Sequence, residues 1–168
     1  MSPTSAGTAA NWPISIPHLT FRAAGVGDYE FALALYLESV KPLLLALGRW
    51  DEERILLRFS QGFELERIQV LRRAGTDIGW MQVSETLEEL HLDQLHLVDH
   101  VRNHHIGTHL IRMLQSRAKT VNKPLALNIF RGNRAKVLYE RLGFRIVGGD
   151  EEKIRMLWSG EPADESSQ

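Results

Sequence analysis

Apolar residues along this chain recur with a period of two in some segments and near 3.6 in others, which predicts a mixture of strands and helices. Short or alternating apolar runs predict seven strands, at residues 18–23, 67–72, 78–83, 90–98, 124–130, 144–147 and 154–158. Helical spacing predicts four helices, at residues 28–41, 51–59, 105–121 and 133–142. Strands and helices in this order predict an α/β sandwich, in which helices pack on a largely antiparallel sheet.

Four local signals set the predicted ends of these elements. Asp28 is a predicted N-cap of the first helix. Pro42 is expected to end or kink that helix, because proline lacks an N–H. Gly143 is a predicted C-cap of the last helix. The turn residues Ala74-Gly75-Thr76-Asp77 lie between two apolar runs and predict a hairpin.

The fourth strand changes phase in its middle. Leu90 and Leu92 share one face, and so do Leu95 and Leu97, but the odd step between the pairs would place them on opposite faces of a flat strand. A β-bulge near Asp93–Gln94 would restore the phase, and bulges often lie next to active sites. The alternative is a strand that is buried on both faces.

Composition narrows the class of protein. The chain has 168 residues, of which 43% are apolar and 24% charged, which predicts one domain with one sizeable core. A formal net charge of −1 gives no support for a nucleic-acid partner. Without cysteine, disulfides, thiolate nucleophiles and zinc ribbons are excluded.

The two ends differ from the middle of the chain. Residues 1–16 and 159–168 are small, polar and proline-bearing, which predicts flexible tails around a single domain at 17–158. No apolar run reaches membrane-spanning length and no secretory signal is apparent. We therefore expect a cytoplasmic protein without a membrane partner.

The first segment that suggests chemistry is a strand, a tight turn and a helix at residues 95–108. The N-terminus of a helix presents unpaired N–H groups and partial positive charge, which makes it an anion site. Gly107 would let a pyrophosphate approach the backbone closely, and Arg102 would add a charge-assisted contact. The alternative is that Gly107 serves packing only.

The second segment is Asn133-Arg134-Ala135-Lys136-Val137-Leu138-Tyr139-Glu140-Arg141-Leu142-Gly143-Phe144. It resembles the late helix–strand motif of the GNAT superfamily of acyl-CoA-dependent N-acyltransferases. The first segment is then similar to that family's Arg/Gln-x-x-Gly-x-Gly/Ala pyrophosphate loop, with His105 in place of the first glycine and Asp99 where a proline often stands. The motifs occur in the family's order, separated by a helix and a strand, and the order of elements resembles the family across residues 18–158.

The resemblance implies a mixed, largely antiparallel sheet of six to seven strands, with helices on both faces and a bulged fourth strand. It implies acetyl-CoA as co-substrate. The residues that would bind it are the strand edge at Leu97 and Val98, the loop and helix start at Arg102, Asn103, His104, His105, Ile106, Gly107 and Thr108, and Asn133 on the cofactor arm. His105 still offers its N–H if its backbone adopts an αR or bridge conformation.

Acetyl transfer to an amine needs a base, an oxyanion donor and an acid for the leaving thiolate. The resemblance assigns Tyr139 as the acid, and backbone N–H groups just past the bulge as the donor. His91 and Asp93 lie two apart on one strand face and are the predicted base. The alternatives are a core tyrosine for Tyr139 and a solvated strand face for the His91–Asp93 pair.

Two further clusters leave alternatives open. His105 and His109 have the i, i+4 spacing of a metal pair, but no third ligand stands at a recognised interval, so we predict no metal site and expect histidines around the phosphate site. Trp50, Glu52 and Phe63 follow the first helix, and their aromatic and acidic character suits a cationic amine. The alternative is that Trp50 and the acids serve only the start of the second helix.

The sequence thus predicts an N-acetyltransferase that transfers an acetyl group from acetyl-CoA directly to a primary amine, of a small molecule or a peptide. A covalent route through cysteine is excluded. The alternative is a catalytically silent GNAT-like domain that binds acyl-CoA or a protein partner. The altered loop at His105 supports this alternative. A homodimer through the late strands at 144–158, as in many relatives, is consistent with the sequence.

Overall fold

The structure is a computed structural model that describes residues 18–102 and 105–160. The predicted N-terminal tail, residues 161–168 of the predicted C-terminal tail, and the predicted cofactor residues Asn103 and His104 lie outside the described residues. The division into one domain and two tails therefore stays a prediction.

The described residues form seven strands and four helices in the predicted order. The strands are β1 (Leu19–Ala23), β2 (Ile68–Arg73), β3 (Thr76–Glu85), β4 (Leu90–Leu97), β5 (Leu125–Phe130), β6 (Arg145–Gly149) and β7 (Lys153–Trp158). The helices are α1 (Tyr29–Ala46), α2 (Glu52–Gly62), α3 (Ile106–Thr120) and α4 (Ala135–Arg141). Apart from the C-terminal ends of α1 and α2, the predicted boundaries are correct to within one or two residues.

All seven strands join one sheet in the order β1-β2-β3-β4-β5-β7-β6. Every neighbouring pair is antiparallel except β4 and β5, which are parallel. One core fills the space between the sheet and α3, with Leu110 and Met113 fully buried. A second core lies under α1 and α2, around Leu44, Ile55 and Trp80. The predicted mixed sheet with helices on both faces is confirmed.

The parallel pair β4–β5 is the feature that opens the sheet. The two strands pair over only three residues, from Leu90 with Leu125 to Leu92 with Leu127. Beyond Leu92 the edge of β4 that faces β5 has no strand partner there. A cleft therefore begins inside the sheet rather than at its rim.

A β-bulge lies where the sequence predicts it. Gln82 of β3 pairs with Gln94, and the next residue, Val83, pairs with Leu92, which leaves Asp93 as the extra residue on β4. Leu90 and Leu92 belong to the first core, and Leu95 and Leu97 pack against the same core. The bulge thus restores the phase of the apolar residues, and the predicted bulged fourth strand is confirmed.

The first helix departs from the prediction at Pro42. α1 passes through Pro42 and continues to Ala46, instead of ending near residue 41. A proline inside a helix costs about 3 kcal/mol, mainly through the lost hydrogen bond. The extra turn places Leu44 in the second core with no exposed surface and packs Leu43 against it. Burial of leucine contributes about 1.5–3 kcal/mol per side chain, which offsets the cost of the proline.

The end of α2 and the β2–β3 turn differ slightly from the prediction, whereas the C-cap glycine of α4 agrees with it. α2 runs three residues past the predicted end, to Gly62. The β2–β3 hairpin turns on Ala74 and Gly75 alone, both with positive φ, so the next two residues belong to β3. Gly143 follows α4 with φ +95°, as expected of a C-cap glycine.

Within the described residues, no helix is long and apolar enough to cross a membrane.

Candidate active site

The gap between β4 and β5 widens into one cleft of about 1080 Å³. Its walls are residues 93–97 of β4 and 127–130 of β5, together with side chains from α1, α2 and the first turns of α3 and α4. The cleft therefore passes from the α3 and α4 side of the sheet to the α1 and α2 side.

The main chain of β4 supplies polar groups to this cleft. The N–H of Val98 donates to the carbonyl of Ile78 at 2.8 Å, so Val98 is already paired to the neighbouring β3 side. Main-chain groups alternate in direction along an antiparallel ladder, so those of Leu95 and Leu97 point away from β3, toward the gap. The structure thus places the predicted strand edge at Leu95 and Leu97, and Val98 does not line the cleft.

The start of α3 borders the same cleft. By helix geometry the amides of Ile106, Gly107 and Thr108 have no acceptor within the helix. Gly107 lines the cleft, and a Cβ built on it would meet only Leu138 Cδ2, at 3.6 Å. Packing among the described residues therefore does not require glycine at this position, and none of them fills the space in front of it.

The backbone of His105 differs from the expectation. We expected an αR or bridge conformation, and the structure shows φ +60° and ψ +12°, in the left-handed region. This region is routine for glycine and tolerated by few other residues, histidine among them. His105 thus keeps the conformation that suits the glycine of the resembled motif.

Arg102 lines the cleft and is held by three acceptors. Its Nε donates to the carbonyl of Leu97, one Nη donates to Asp99 and the other to Glu38, each at 3.2 Å. These contacts tie the end of β4 to α1. A phosphate at this arginine would compete with two partly or fully exposed carboxylates for the guanidinium.

Tyr139 and Asn133 line the cleft from the α4 side. Tyr139 is 6% exposed, and its ring meets that of Phe144 edge to face, with centroids 5.6 Å apart. Burial raises the pKa of Tyr139 to about 12, so its hydroxyl stays protonated at neutral pH. The Oδ1 of Asn133 accepts the N–H of Ala135 at 2.9 Å, which fixes the start of α4.

The predicted base residues form a hydrogen-bonded chain. His91 Nδ1 lies 2.6 Å from Asp93 Oδ1, and the hydroxyl of Ser84 donates to the same oxygen at 2.9 Å. The Nδ2 of Asn128 lies 3.0 Å from His91 Nε2. Asp93 and Asn128 line the cleft, whereas His91 does not. The geometry therefore presents the carboxylate to the cleft and holds the imidazole behind it.

His96 lines the cleft and was missed by the sequence reasoning. Its ring packs against Trp80 and Tyr36, with centroids 5.2 Å and 5.6 Å away, and its Nε2 lies 2.7 Å from Gln94 Oε1. Burial, with the nearby charge of Arg102, lowers the pKa of His96 to about 3. The imidazole is therefore neutral. The sequence feature that could have identified His96 as a site residue is a polar residue on the alternate face of an apolar strand.

The α1 and α2 side of the cleft differs from the predicted acceptor pocket. Phe63 lines it, near Phe59, whereas Trp50 and Glu52 lie outside it. Asp51 caps α2 by accepting the N–H of Arg54, so the acidic segment at 51–53 forms the start of that helix. Glu38 of α1 lines the cleft but pairs with Arg102 at 3.2 Å. The charged side chains that line the cleft from α2 and the start of β7 are cations, Arg58 and Lys153.

The histidines at the start of α3 are not gathered by the fold. His105 and His109 are exposed, and the backbone N–H of His109 donates to the carbonyl of His105 at 3.2 Å. Across residues 18–102 and 105–160, no group of three metal-type side chains is close enough to hold an ion.

No model of a known protein family matches the sequence, and no curated protein matches it. Solved structures match over most of the chain. The PaiA N-acetyltransferase of Thermoplasma acidophilum, in complex with coenzyme A, is 18% identical, with a TM-score of 0.65 over 83% of this chain and 97% of that chain.

Two further structures agree. The ribosomal-protein-S18-alanine N-acetyltransferase of Escherichia coli is 20% identical, with a TM-score of 0.61 over 89% of this chain and 99% of that chain. A GNAT-family acetyltransferase of Listeria monocytogenes is 15% identical, with a TM-score of 0.57 over 83% and 94% of the respective chains. The chain therefore has the fold of the GNAT acetyltransferases, and the predicted resemblance is confirmed at the level of the fold.

Proposed function

We propose that this protein is an N-acetyltransferase that transfers an acetyl group from acetyl-CoA directly to a primary amine of a small molecule or peptide. The observation that carries this proposal is one cleft with three features. These are the edge of β4 at Leu95 and Leu97, which has no strand partner, the amides at the start of α3, which have no acceptor within the helix, and the protonated hydroxyl of Tyr139. Together they offer a strand edge for an extended ligand, an anion site and a proton donor.

The residues present fit coenzyme A. The pantetheine amides would pair with the main chain of Leu95 and Leu97, as a strand would. The pyrophosphate would lie at Ile106, Gly107 and Thr108, where unpaired amides and the helix dipole favour an anion. The open space in front of Gly107 is the observation that supports this placement.

The amine loses its proton to the carboxylate side of the Asp93–His91 pair. Only a neutral amine is nucleophilic, so a base in the cleft is needed for attack on the acetyl carbon. Asp93 reaches the cleft, and His91 behind it shares the acquired proton through the 2.6 Å contact. Asp93 is thus the proposed base, and His91 is its positioning partner.

Acetyl-CoA, when bound, supplies an acetyl thioester whose carbonyl carbon is the electrophile. Main-chain N–H groups of β4 just past the bulge are the proposed oxyanion donors, because no strand partner occupies them on the cleft side. As the C–S bond breaks, Tyr139 donates a hydrogen bond and then a proton to the leaving sulfur. Its raised pKa ensures that the donor is protonated across the neutral range.

The structural neighbours support the same chemistry. One was solved in complex with coenzyme A, and another acts on an alanine of a ribosomal protein. The silent-domain alternative relied on His105, but its left-handed backbone retains the loop conformation that a glycine would give. We therefore favour the enzyme. Cytoplasmic location and a homodimer stay predictions.

The test is a calorimetric titration of the untagged protein with acetyl-CoA, and with dephospho-CoA as a comparison, followed by an amine screen that detects released thiol. Micromolar binding of acetyl-CoA and amine-dependent thiol release are expected. Binding without turnover on any amine would favour the silent domain. No binding at millimolar acetyl-CoA would contradict the enzyme and favour a silent domain that binds a protein partner.

A further inference from the structure

The wall of the cleft formed by α2 and the start of β7 contains two cations, Arg58 and Lys153. Glu152 is shared between Arg54, at 3.1 Å, and Arg58, at 3.4 Å. Lys153 is the next residue along the chain and lies beside Arg58. Two carboxylates, Glu152 and the exposed Asp150, therefore act on this group of three cations. Of the cations, Arg58 and Lys153 line the cleft and Arg54 does not.

Lys153 is the least compensated of these cations. Its ammonium lies 4.7 Å from the centroid of the Phe130 ring, and the side chain is partly buried. Among the described residues, no carboxylate forms an ion pair with it. Burial and the charge of Arg58 lower the pKa of Lys153. An anion placed between Lys153 and Arg58 would remove this electrostatic cost.

The position of Lys153 relative to the proposed base is suited to one small molecule. Phe130 pairs with Lys153 across β5 and β7, and Asn128, two residues earlier, contacts His91. Asn128 and Lys153 are thus diagonal neighbours in the sheet, roughly 7–8 Å apart. Because His91 in turn contacts Asp93, an acceptor with its amine at Asp93 and a second group at Lys153 would span this stretch of the sheet.

We infer that the acceptor carries an acidic group, a carboxylate or a phosphate, in addition to its amine, and that Lys153 and Arg58 bind this acidic group. This inference builds on the proposed function and specifies its substrate class. It reverses the expectation of a purely cationic acceptor, which depended on Trp50 and Glu52 at positions now outside the cleft. Apolar side chains of Phe59 and Phe63 nearby would contact the body of the molecule.

The test compares amines that differ only in the acidic group. Phenylalanine is paired with 2-phenylethylamine, methionine with 3-(methylthio)propylamine, and phosphoethanolamine with ethanolamine. We expect the acid-bearing member of at least one pair to have a kcat/KM about tenfold or more above its partner. The first two pairs report on carboxylate and the third on phosphate. A preference for the partner without an acid in all three pairs would overturn the inference.

Two variants assign the effect to Lys153. Lys153→Met keeps an apolar stem over Phe130 and removes the charge. It should lower kcat/KM for acid-bearing amines about tenfold and leave their partners within about twofold. The matched control is Arg54→Gln, which loses a contact to the same Glu152 but lines no part of the cleft, and it should leave both within about twofold. An equal loss for both members of a pair in Lys153→Met would contradict the inference.

Binding measurements separate this inference from the proposed function. The same amines are titrated into wild-type and Lys153→Met protein saturated with CoA, which requires no turnover. Lys153-dependent binding of acid-bearing amines without any acetylation would sustain the anion site and refute the enzyme. Acetylation with no dependence on Lys153 in rate or binding would sustain the enzyme and refute the anion site.

Discussion

His91 Nδ1 lies 2.6 Å from Oδ1 of Asp93, the one residue of β4 that the bulge leaves without a partner on β3. Asp93 lines the cleft and His91 does not. The bulge therefore exposes a carboxylate at the point where β4 and β5 separate, with an imidazole held behind it. In this arrangement Asp93 is the residue that would contact the amine, and His91 is the residue that positions Asp93.

Asp93→Asn removes the carboxylate and keeps the shape of the side chain. We expect kcat to fall about 100-fold or more, the usual range for a lost general base, with little change in the Kd of acetyl-CoA. Steady-state kinetics and calorimetry measure the two quantities. Ser84→Ala is the control, because it removes only a hydrogen bond to Asp93 and should cost less than about tenfold. Equal losses in the two variants would argue against a base at Asp93.

Tyr139 lines the cleft, and Tyr139→Phe removes its hydroxyl and keeps the buried ring against Phe144. We expect kcat to fall while the Kd of acetyl-CoA stays within about threefold, because the hydroxyl acts on the leaving sulfur. With the pKa of Tyr139 raised to about 12, the wild-type rate should show no loss from this residue below about pH 11. A variant as fast as wild type would remove Tyr139 from the mechanism.

Gly107→Ala tests the anion site at the start of α3. Among the residues that the structure describes, the atom near the new Cβ is Leu138 Cδ2, at 3.6 Å, which is an ordinary contact distance. The free energy of unfolding should therefore stay the same or rise slightly. The Kd of acetyl-CoA should rise about tenfold or more, because the methyl group occupies the space of the pyrophosphate. Urea unfolding and calorimetry report the two effects. Unchanged binding would place the pyrophosphate elsewhere.

His105→Gly tests the strain in the loop. A left-handed backbone costs a non-glycine residue about 1–2 kcal/mol. Glycine avoids this cost, but part of the gain is offset because glycine makes the unfolded chain more flexible. We expect the free energy of unfolding to rise by up to about 1 kcal/mol, and acetyl-CoA to bind at least as well. His105→Ala keeps the strain and should show no gain. A less stable His105→Gly would mean that the imidazole itself stabilises the loop.

His96 should make the protein sensitive to acid. Its pKa is about 3 when folded and near 6.5 when unfolded, so between these values the unfolded chain binds a proton that the folded chain does not. The free energy of unfolding therefore falls as the pH drops through this window, by up to about 1.4 kcal/mol per pH unit. In His96→Phe this contribution is absent, and urea unfolding from pH 7 to pH 4.5 should show a shallower decline. Parallel declines would show that His96 becomes charged within the fold.

The sequence determined the order of the elements, the bulge and the residues of the two motifs. Periodicity is a local property, so the strands and helices were predicted with few errors at their ends. The bulge was predictable because Leu90 and Leu92 are out of phase with Leu95 and Leu97 and all four belong to one core. Pro42 misled the prediction, because its local cost was outweighed by the burial of Leu44.

Only the tertiary structure decided what shares the cleft. The pairing of β4 with β5 over three residues opens the sheet, and no local pattern specifies where two distant strands separate. Lys153 and Arg58 are 95 positions apart in sequence and meet because α2 and the start of β7 lie on the same face. Trp50 and Glu52 had suitable chemistry but lie outside the cleft. The sequence specifies the type of each residue, whereas the proximity of residues that are distant in sequence follows from packing of the whole core.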